Sequence, residues 1–453
     1  MRLFPLRALL LVAIVLLVSC GPKTSGPEKY IPTGSVEKGR KLYAENKAVQ
    51  AQAEFTAALK ADPDEPMAHY YLGLINLDAG RIPEARAHFV RTLELSPSTD
   101  FCRAIQEVML VDNSRILGSG KGFWLMPNWL NEKDALALVI MNDTDGDGVV
   151  THIDNANIAK VNAQSRNTEV LVSDSSVNGP PMADAAGARF VFASARSDTD
   201  RDGAISYKDN AGIYLCDLAG RTERKIVDDS FANVDPCFSA DGKSVFFASI
   251  RLDTNGDGAI DISDNYALYL FDLLTGETKK VNAMPGDCRR PMAAQDSEWL
   301  YFWAVGEDTN GDGAINSADR GGLYRYSLKN PAVETVLGWK NGISCSNISL
   351  RGDKMAIVMD PWPGEGITYA QAEKENPKQY GVGVYMLNLV SNVRSKVIAA
   401  SADIPSQPAL SPDGHTIAFQ RSNQEGTYFA CYYYDTDKPY LTAAELIQIL
   451  KSW

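Results

Sequence analysis

Four twelve-residue stretches of this chain carry oxygen-bearing side chains at the same offsets. Residues 143–154 read D-T-D-G-D-G-V-V-T-H-I-D, and residues 198–209 read D-T-D-R-D-G-A-I-S-Y-K-D. Residues 253–264 read D-T-N-G-D-G-A-I-D-I-S-D, and residues 308–319 read D-T-N-G-D-G-A-I-N-S-A-D. Each stretch starts 55 residues after the one before. Position 1 is Asp143, Asp198, Asp253 or Asp308, and position 3 is Asp145, Asp200, Asn255 or Asn310. Position 5 is Asp147, Asp202, Asp257 or Asp312, and position 12 is Asp154, Asp209, Asp264 or Asp319. Hard oxygen donors at this spacing suit calcium, which takes about six to eight oxygen ligands at about 2.3–2.6 Å. Glycine at position 6 permits the sharp turn, and the position-7 carbonyls of Val149, Ala204, Ala259 and Ala314 add a neutral ligand. An apolar residue at position 8 is expected to anchor each loop to the body. The pattern predicts about four bound calcium ions, with the position-12 carboxylate closing each shell.

Charge points the same way. The loops carry −4, −2, −4 and −3, together as much as the −13 of the whole chain. Carboxylates this close repel one another, so the loops are expected to be strained or mobile without a cation. So acidic a chain is not expected to bind nucleic acid. The loops resemble EF-hand sites, and more closely those of dockerin modules. They depart from both in lacking flanking helices, and Asp at position 12 is shorter than the usual EF-hand Glu. Acidic surface turns that bind nothing are the plain alternative, but nothing would make such turns keep the same oxygen positions in four copies.

The loops sit within a longer β pattern of the same period. Phe190-Val191-Phe192, Val245-Phe246-Phe247 and Leu300-Tyr301-Phe302 form one column at this spacing. Pro181, Pro236 and Pro291 form a second, Tyr214, Tyr269 and Tyr324 a third, and Leu218, Leu273 and Leu328 a fourth. Each unit holds four short strand signals separated by turns, the pattern of a propeller blade. Further units fit at 348–359, at 410–420 and around 135–141, giving six. The S-P-D-G of Ser411-Pro412-Asp413-Gly414 before an apolar strand resembles the WD-like (PD40-type) repeats of the TolB propeller family. The resemblance implies the fold and says little about activity. The last blade lacks an outer strand of its own, and residues 114–117 are expected to supply it, closing the ring by pairing the chain ends. In the fifth blade an insertion at 360–381, with Trp362, replaces the acidic loop.

Ahead of the β pattern, Gly39 and Gly73, Ala51 and Ala85, Phe55 and Phe89, and Pro63 and Pro97 each repeat at 34 residues. This resembles the tetratricopeptide repeat, a pair of antiparallel helices, which implies protein contact. A spacer packed against the propeller is the other reading. Residues 100–111 are expected to cap the pair as a further helix.

The start of the chain has Arg2 and Arg7, an apolar run over 8–18, and then Ser19-Cys20. That run is too short to span a bilayer comfortably. The ending resembles the lipobox of bacterial lipoproteins, which implies lipidation at Cys20 and a membrane attachment through that lipid anchor. The chain is therefore expected to be exported and anchored in the bacterial envelope. Gly21 after the Cys points to the outer membrane, facing the periplasm or the cell surface, rather than the inner membrane. The expected organisation is a signal peptide over 1–19 and a flexible tether over 20–33. Two tetratricopeptide repeats with a capping helix follow over 34–113. A six-bladed β-propeller with four calcium loops occupies 114–438, and a C-terminal helix 439–453. The fold class is mainly β: a six-bladed β-propeller preceded by a small α-helical tetratricopeptide-repeat segment.

Six further cysteines, an even number, permit disulfides in an exported protein. Buried free thiols are the alternative, and the pairing stays open. The four histidines, His69, His88, His152 and His415, suggest no metal cluster or nucleophile partner, and there is no G-x-S-x-G elbow. No catalytic residue is assigned and the chain is not expected to be an enzyme. Arg289 and Arg290 precede an inner strand and could face the channel, although surface solvation is the common fate of such a pair. The function expected is a calcium-binding, non-catalytic scaffold. It would hold envelope protein partners through the helical repeats or a propeller face. The alternatives are a hydrolase or lyase working in the propeller channel, and a calcium-rigidified surface adhesion or spacer protein.

Overall fold

A computed structural model describes residues 34–109, 115–118, 122–281, 284–345, 348–361, 381–400, 403–423, 429–436 and 441–452. The signal segment, Cys20, the tether and Trp362 lie outside the described residues. No helix among the described residues is long and apolar enough to cross a membrane. The chain divides into two compact units.

The helical unit contains α1 (Gly34–Ala44), α2 (Ala48–Ala61), α3 (Pro66–Asp78), α4 (Ile82–Leu95) and α5 (Thr99–Met109). The 34-residue columns are its packing code. Phe55 and Phe89 are fully buried, and a Cβ on Gly39 or Gly73 would lie 2.7 Å or 2.5 Å from the facing ring. Only glycine lets those helices approach so closely. Pro66 opens α3, and Glu65 caps it by accepting from the Met67 N–H at 3.0 Å. The C-terminal helix α6 (Ala443–Ser452) belongs to this unit. Thr442 and Glu445 form a capping box at its start, with the Thr442 N–H donating to Glu445 Oε2 at 2.8 Å. Leu441, Leu446 and Leu450 join the core of Phe55 and Phe89. The Leu441 N–H donates to Gln106 Oε1 at 3.0 Å. The helical repeats are thus capped by both α5 and α6.

The second unit consists of six antiparallel sheets. Their first strands are Phe123–Trp129, Val177–Asn178 with Met182–Ala183, Ala232–Phe238, Cys288–Ala293, Ser349–Arg351 and Asp403–Leu410. Each lies beside the first strands of its neighbours, and the sixth beside the first, so these strands line the centre of a closed ring. Blade three shows the plan: Ala232–Phe238 pairs with Ser244–Ile250, that with Ala267–Asp272, and that with Thr278–Lys280. The aromatic columns are cross-strand pairs between second and third strands. Phe192 stacks on Tyr214, Phe247 on Tyr269, Phe302 on Tyr324 and Phe419 on Tyr432, with centroids 5.7–6.1 Å apart. The strand Arg115–Gly118 pairs with Phe429–Asp435 as the outer strand of the last blade, so the ring closes as expected.

Pro236 and Pro291 of the proline column prove to sit in bulges, as do Pro127 and Pro408. Register shifts at 126–127, 235–236, 290–291 and 407–408 each consist of a residue with positive φ followed by proline. Proline has no N–H to lose at an unpaired bulge position. The inner strand of blade three therefore runs through its bulge, from Ala232 to Phe238. The six cysteines after Cys20 are free, five of them buried.

Candidate functional site

Each acidic loop joins the second and third strands of its blade, so all four lie on one face of the ring. The loops fold through their own carboxylates. Asp253 accepts from the N–H of Gly256 at 2.6 Å and of Gly258 at 2.9 Å. Asp257 accepts from Ala259 N at 2.8 Å and donates its own N–H to Asn255 Oδ1 at 2.9 Å. The same bonds recur in the fourth loop on Asp308 and Asp312, and in the first on Asp143 and Asp147. Positions 4 and 6 both take positive φ, at 79° for Gly256 and 91° for Gly258. The second loop forces Arg201 into that conformation at position 4, at 63°. Single carboxylate oxygens of Asp143, Asp145 and Asp147 lie within 4.8 Å of one another, as do those of Asp198, Asp200 and Asp202. In the third and fourth loops Asn255 and Asn310 donate to Asp257 and Asp312 at 3.2 and 3.1 Å, holding the position-5 carboxylate without a third negative charge.

Position 12 stands apart from these clusters. Asp264 is buried, and its Oδ1 accepts from Thr254 N at 2.5 Å, Thr254 Oγ1 at 3.0 Å and Asn255 N at 3.2 Å. Its Oδ2 accepts from Asp261 N at 3.0 Å. Asp154, Asp209 and Asp319 make the corresponding bonds. Burial pushes these four carboxyls up, but the backbone and threonine donors outweigh it and hold each below the usual carboxylate value. The position-2 threonine completes the clamp by accepting from the N–H of position 13, for example Asn265 N at 2.8 Å. Sequence reasoning passed over this residue, although threonine at position 2 in all four copies was the signal.

The expected anchoring at position 8 needs correction. Val150 and Ile315 pack against the body, but Ile205 and Ile260 are exposed. Val149, Ile153, Tyr207 and Ile262 are exposed as well, so this face carries apolar studs among its carboxylates. The loops are short enough to be braced by the position-12 clamp alone, which frees the position-8 side chain from that duty. Neighbouring loops also touch: Asn265 Nδ2, after the third loop, donates to the Ile315 carbonyl of the fourth at 2.9 Å.

A second charged cluster sits at the centre of the ring. Arg289 and Arg290 lie within the inner strand Cys288–Ala293 rather than before it. Arg290 pairs with Asp235 of the preceding blade at 2.8 Å, and both occupy bulge positions. Arg289 stacks over the Tyr266 ring at 4.0 Å and lies 3.4 Å from buried Asp287. Asp287 Oδ1 accepts from Tyr266 N at 2.8 Å, and burial pushes its carboxyl up against the pull of Arg289. Burial likewise pushes the Cys345 thiol up to about 11.

A propeller ring with four acidic loops on one face and a capped helical-repeat unit therefore defines the class of this protein. Residues 36–99 match the tetratricopeptide repeat family model. No curated protein matches the chain. Among solved structures the chain is similar to TolB from Acinetobacter baumannii, at 14% identity and a TM-score of 0.42, covering 71% of this chain and 78% of that one. It is similar to an oligogalacturonate lyase from Vibrio parahaemolyticus at 14% identity and a TM-score of 0.43, covering 72% and 81%. It is also similar to hydrazine synthase of Kuenenia stuttgartiensis at 12% identity and a TM-score of 0.47, covering 70% of this chain and 45% of that one. Likenesses this remote carry no inference about activity.

Proposed function

We propose that this chain is a calcium-binding lipoprotein of the bacterial envelope that acts as a non-catalytic scaffold for protein partners. The observation that carries the reading is the convergence of position-1, -3 and -5 carboxylates in the first two loops, with the third and fourth folded by the same bonds around Asp, Asn and Asp. Those residues would hold the ion: Asp143, Asp145 and Asp147; Asp198, Asp200 and Asp202; Asp253, Asn255 and Asp257; Asp308, Asn310 and Asp312. Calcium would neutralise the crowded carboxylates and stiffen one face of the ring. With a dissociation constant near 10⁻⁴ M and roughly 1 mM calcium, each site would contribute about 1.4 kcal/mol. Tetratricopeptide repeats serve protein contact, and the exposed Ile205, Tyr207, Ile260 and Ile262 give the loop face apolar purchase for a partner. Cys20 would carry the lipid anchor, in the outer membrane rather than the inner.

Equilibrium dialysis of the purified chain at about 1 mM calcium tests the metal, with about four ions expected and magnesium competing poorly. No bound calcium at that concentration would leave the loops as acidic turns. Cys20→Ser should release the protein from membranes, and a variant that stays membrane-bound with unchanged processing refutes the anchor.

A further inference from the structure

We propose that Arg289 receives a single carboxylate group at the loop-facing mouth of the ring's centre. The site stands whether or not the loops hold calcium. Arg289 pairs in register with Trp303, near the end of the strand Trp299–Ala304 that runs up to the fourth acidic loop. That register places it at the loop-facing end of an inner strand.

Its surroundings are not what the ring needs for its own stability. In the two preceding blades the register equivalents of Arg289 are Val234 and Gly179, and those of Asp287 are Ala232 and Val177. Those blades close with small or apolar residues at the same places. Blade four instead buries an acid and sets a guanidinium over Tyr266. The Arg289 side chain is 31% exposed, and its buried Nε lies 3.4 Å from Asp287 Oδ2, an ion-pair contact without a hydrogen bond. A guanidinium offers five N–H donors in a rigid fork; the Arg289 Nε faces Asp287, and the four Nη N–H groups make no hydrogen bond to the described residues. Tyr266 and Asp287 fix its plane, and Arg290, tied to Asp235, stands next to it. The Nη edge of this guanidinium is held in place as a pair of parallel donors.

The charge of the surroundings selects the acceptor. Two arginines here face two aspartates, and the loops of the same face carry −13. A phosphate dianion meets that field with twice the repulsion of a monoanion. A carboxylate has one charge and two coplanar oxygens, which match the fork. It could come from the terminus of a peptide chain or from a small organic acid.

Calorimetric titration of the full chain separates these sources. The probes are acetate, N-acetyl-trialanine with a free C-terminal carboxylate, the same peptide as its amide, and inorganic phosphate. The acid peptide should bind about tenfold or more tighter than the amide, the ratio expected for one charge-assisted contact, and tighter than phosphate. Acid peptide well ahead of acetate marks a chain terminus as the source; equal binding marks a small acid. Arg289→Gln should weaken the acid probes about tenfold or more. Arg289→Lys keeps the charge beside Asp287, so the fold survives, yet loses the fork and should weaken them similarly. The proposal is overturned if acid and amide bind alike, if no carboxylate binds below about 10 mM, if phosphate binds tighter, or if Arg289→Lys binds as the unaltered chain does. Repeating the titration in chelator keeps its failure distinct from failure of the calcium reading.

Discussion

Asp257 and Asp264 lie in the same acidic loop, yet the structure gives them different work, and two substitutions separate it. Asp264→Ala takes the acceptor from the Thr254, Asn255 and Asp261 N–H groups and from the Thr254 hydroxyl. A hydrogen bond to a charged acceptor contributes about 1.5–3 kcal/mol when its donor is left stranded. The loop rim is open to water, which re-satisfies part of that loss, so about 2–4 kcal/mol is expected in the absence of metal. For a unit spanning 114–437 that lowers the melting temperature by roughly 3–6 °C. Asp257→Ala removes an exposed carboxylate whose bonds lie at the loop surface. It should change metal-free stability by less than about 0.5 kcal/mol while removing one of the proposed calcium ions. Calorimetric melts in chelator and in calcium, with bound-ion counts, read both effects. Equal losses for the two variants in chelator, or no loss for Asp264→Ala, would refute the division between clamp and ligand. The pH dependence has a definite sign. The Asp264 carboxyl titrates below its ordinary value in the folded chain. Its contribution is therefore complete above about pH 4 and lost as pH falls through the lower folded value. Asp264→Asn should flatten that acid limb.

Three further outcomes follow from the packing. Gly73→Ala drives a methyl into the Phe89 ring and should destabilise the helical unit by about 1–3 kcal/mol despite the better helix propensity of alanine, read by circular dichroism on heating. Leu117→Ala hollows the strand that closes the ring, where Leu117 is fully buried, and should cost about 2–4 kcal/mol and speed proteolysis of the propeller. His69 and His88 approach through their Nδ1 atoms at 3.0 Å, and burial first, then the charge of His69, holds the His88 imidazole below its usual value. A group depressed in the fold gives stability above its unfolded value, about pH 6.5, that is lost as pH falls through the folded value. The helical unit should therefore melt lower at pH 5 than at pH 7.5, and His88→Gln should remove much of that difference.

Repetition made most of this protein legible in its sequence. A residue copied at 34 or 55 positions reports a contact made once per unit: glycine against phenylalanine in the helices, phenylalanine against tyrosine in the blades, and carboxylates converging in the loops. The closing strand at Arg115–Gly118 was readable because the last blade fell one strand short of the template. What repetition does not encode was left to the tertiary structure. Pro236 and Pro291 mark bulges, because a residue of positive φ ahead of each keeps the strand running past it. Position 12 was read from its spacing as closing the shell; only the fold shows that its oxygens also accept the loop's own N–H groups, a bracing role that spacing does not report. The C-terminal helix was readable in sequence, whereas its partner, the core around Phe89, lies some 350 residues earlier in the chain. Arg289, Tyr266 and Asp287 come from two blades and break the repeat, so only the closed ring sets this guanidinium onto an aromatic face beside a buried acid.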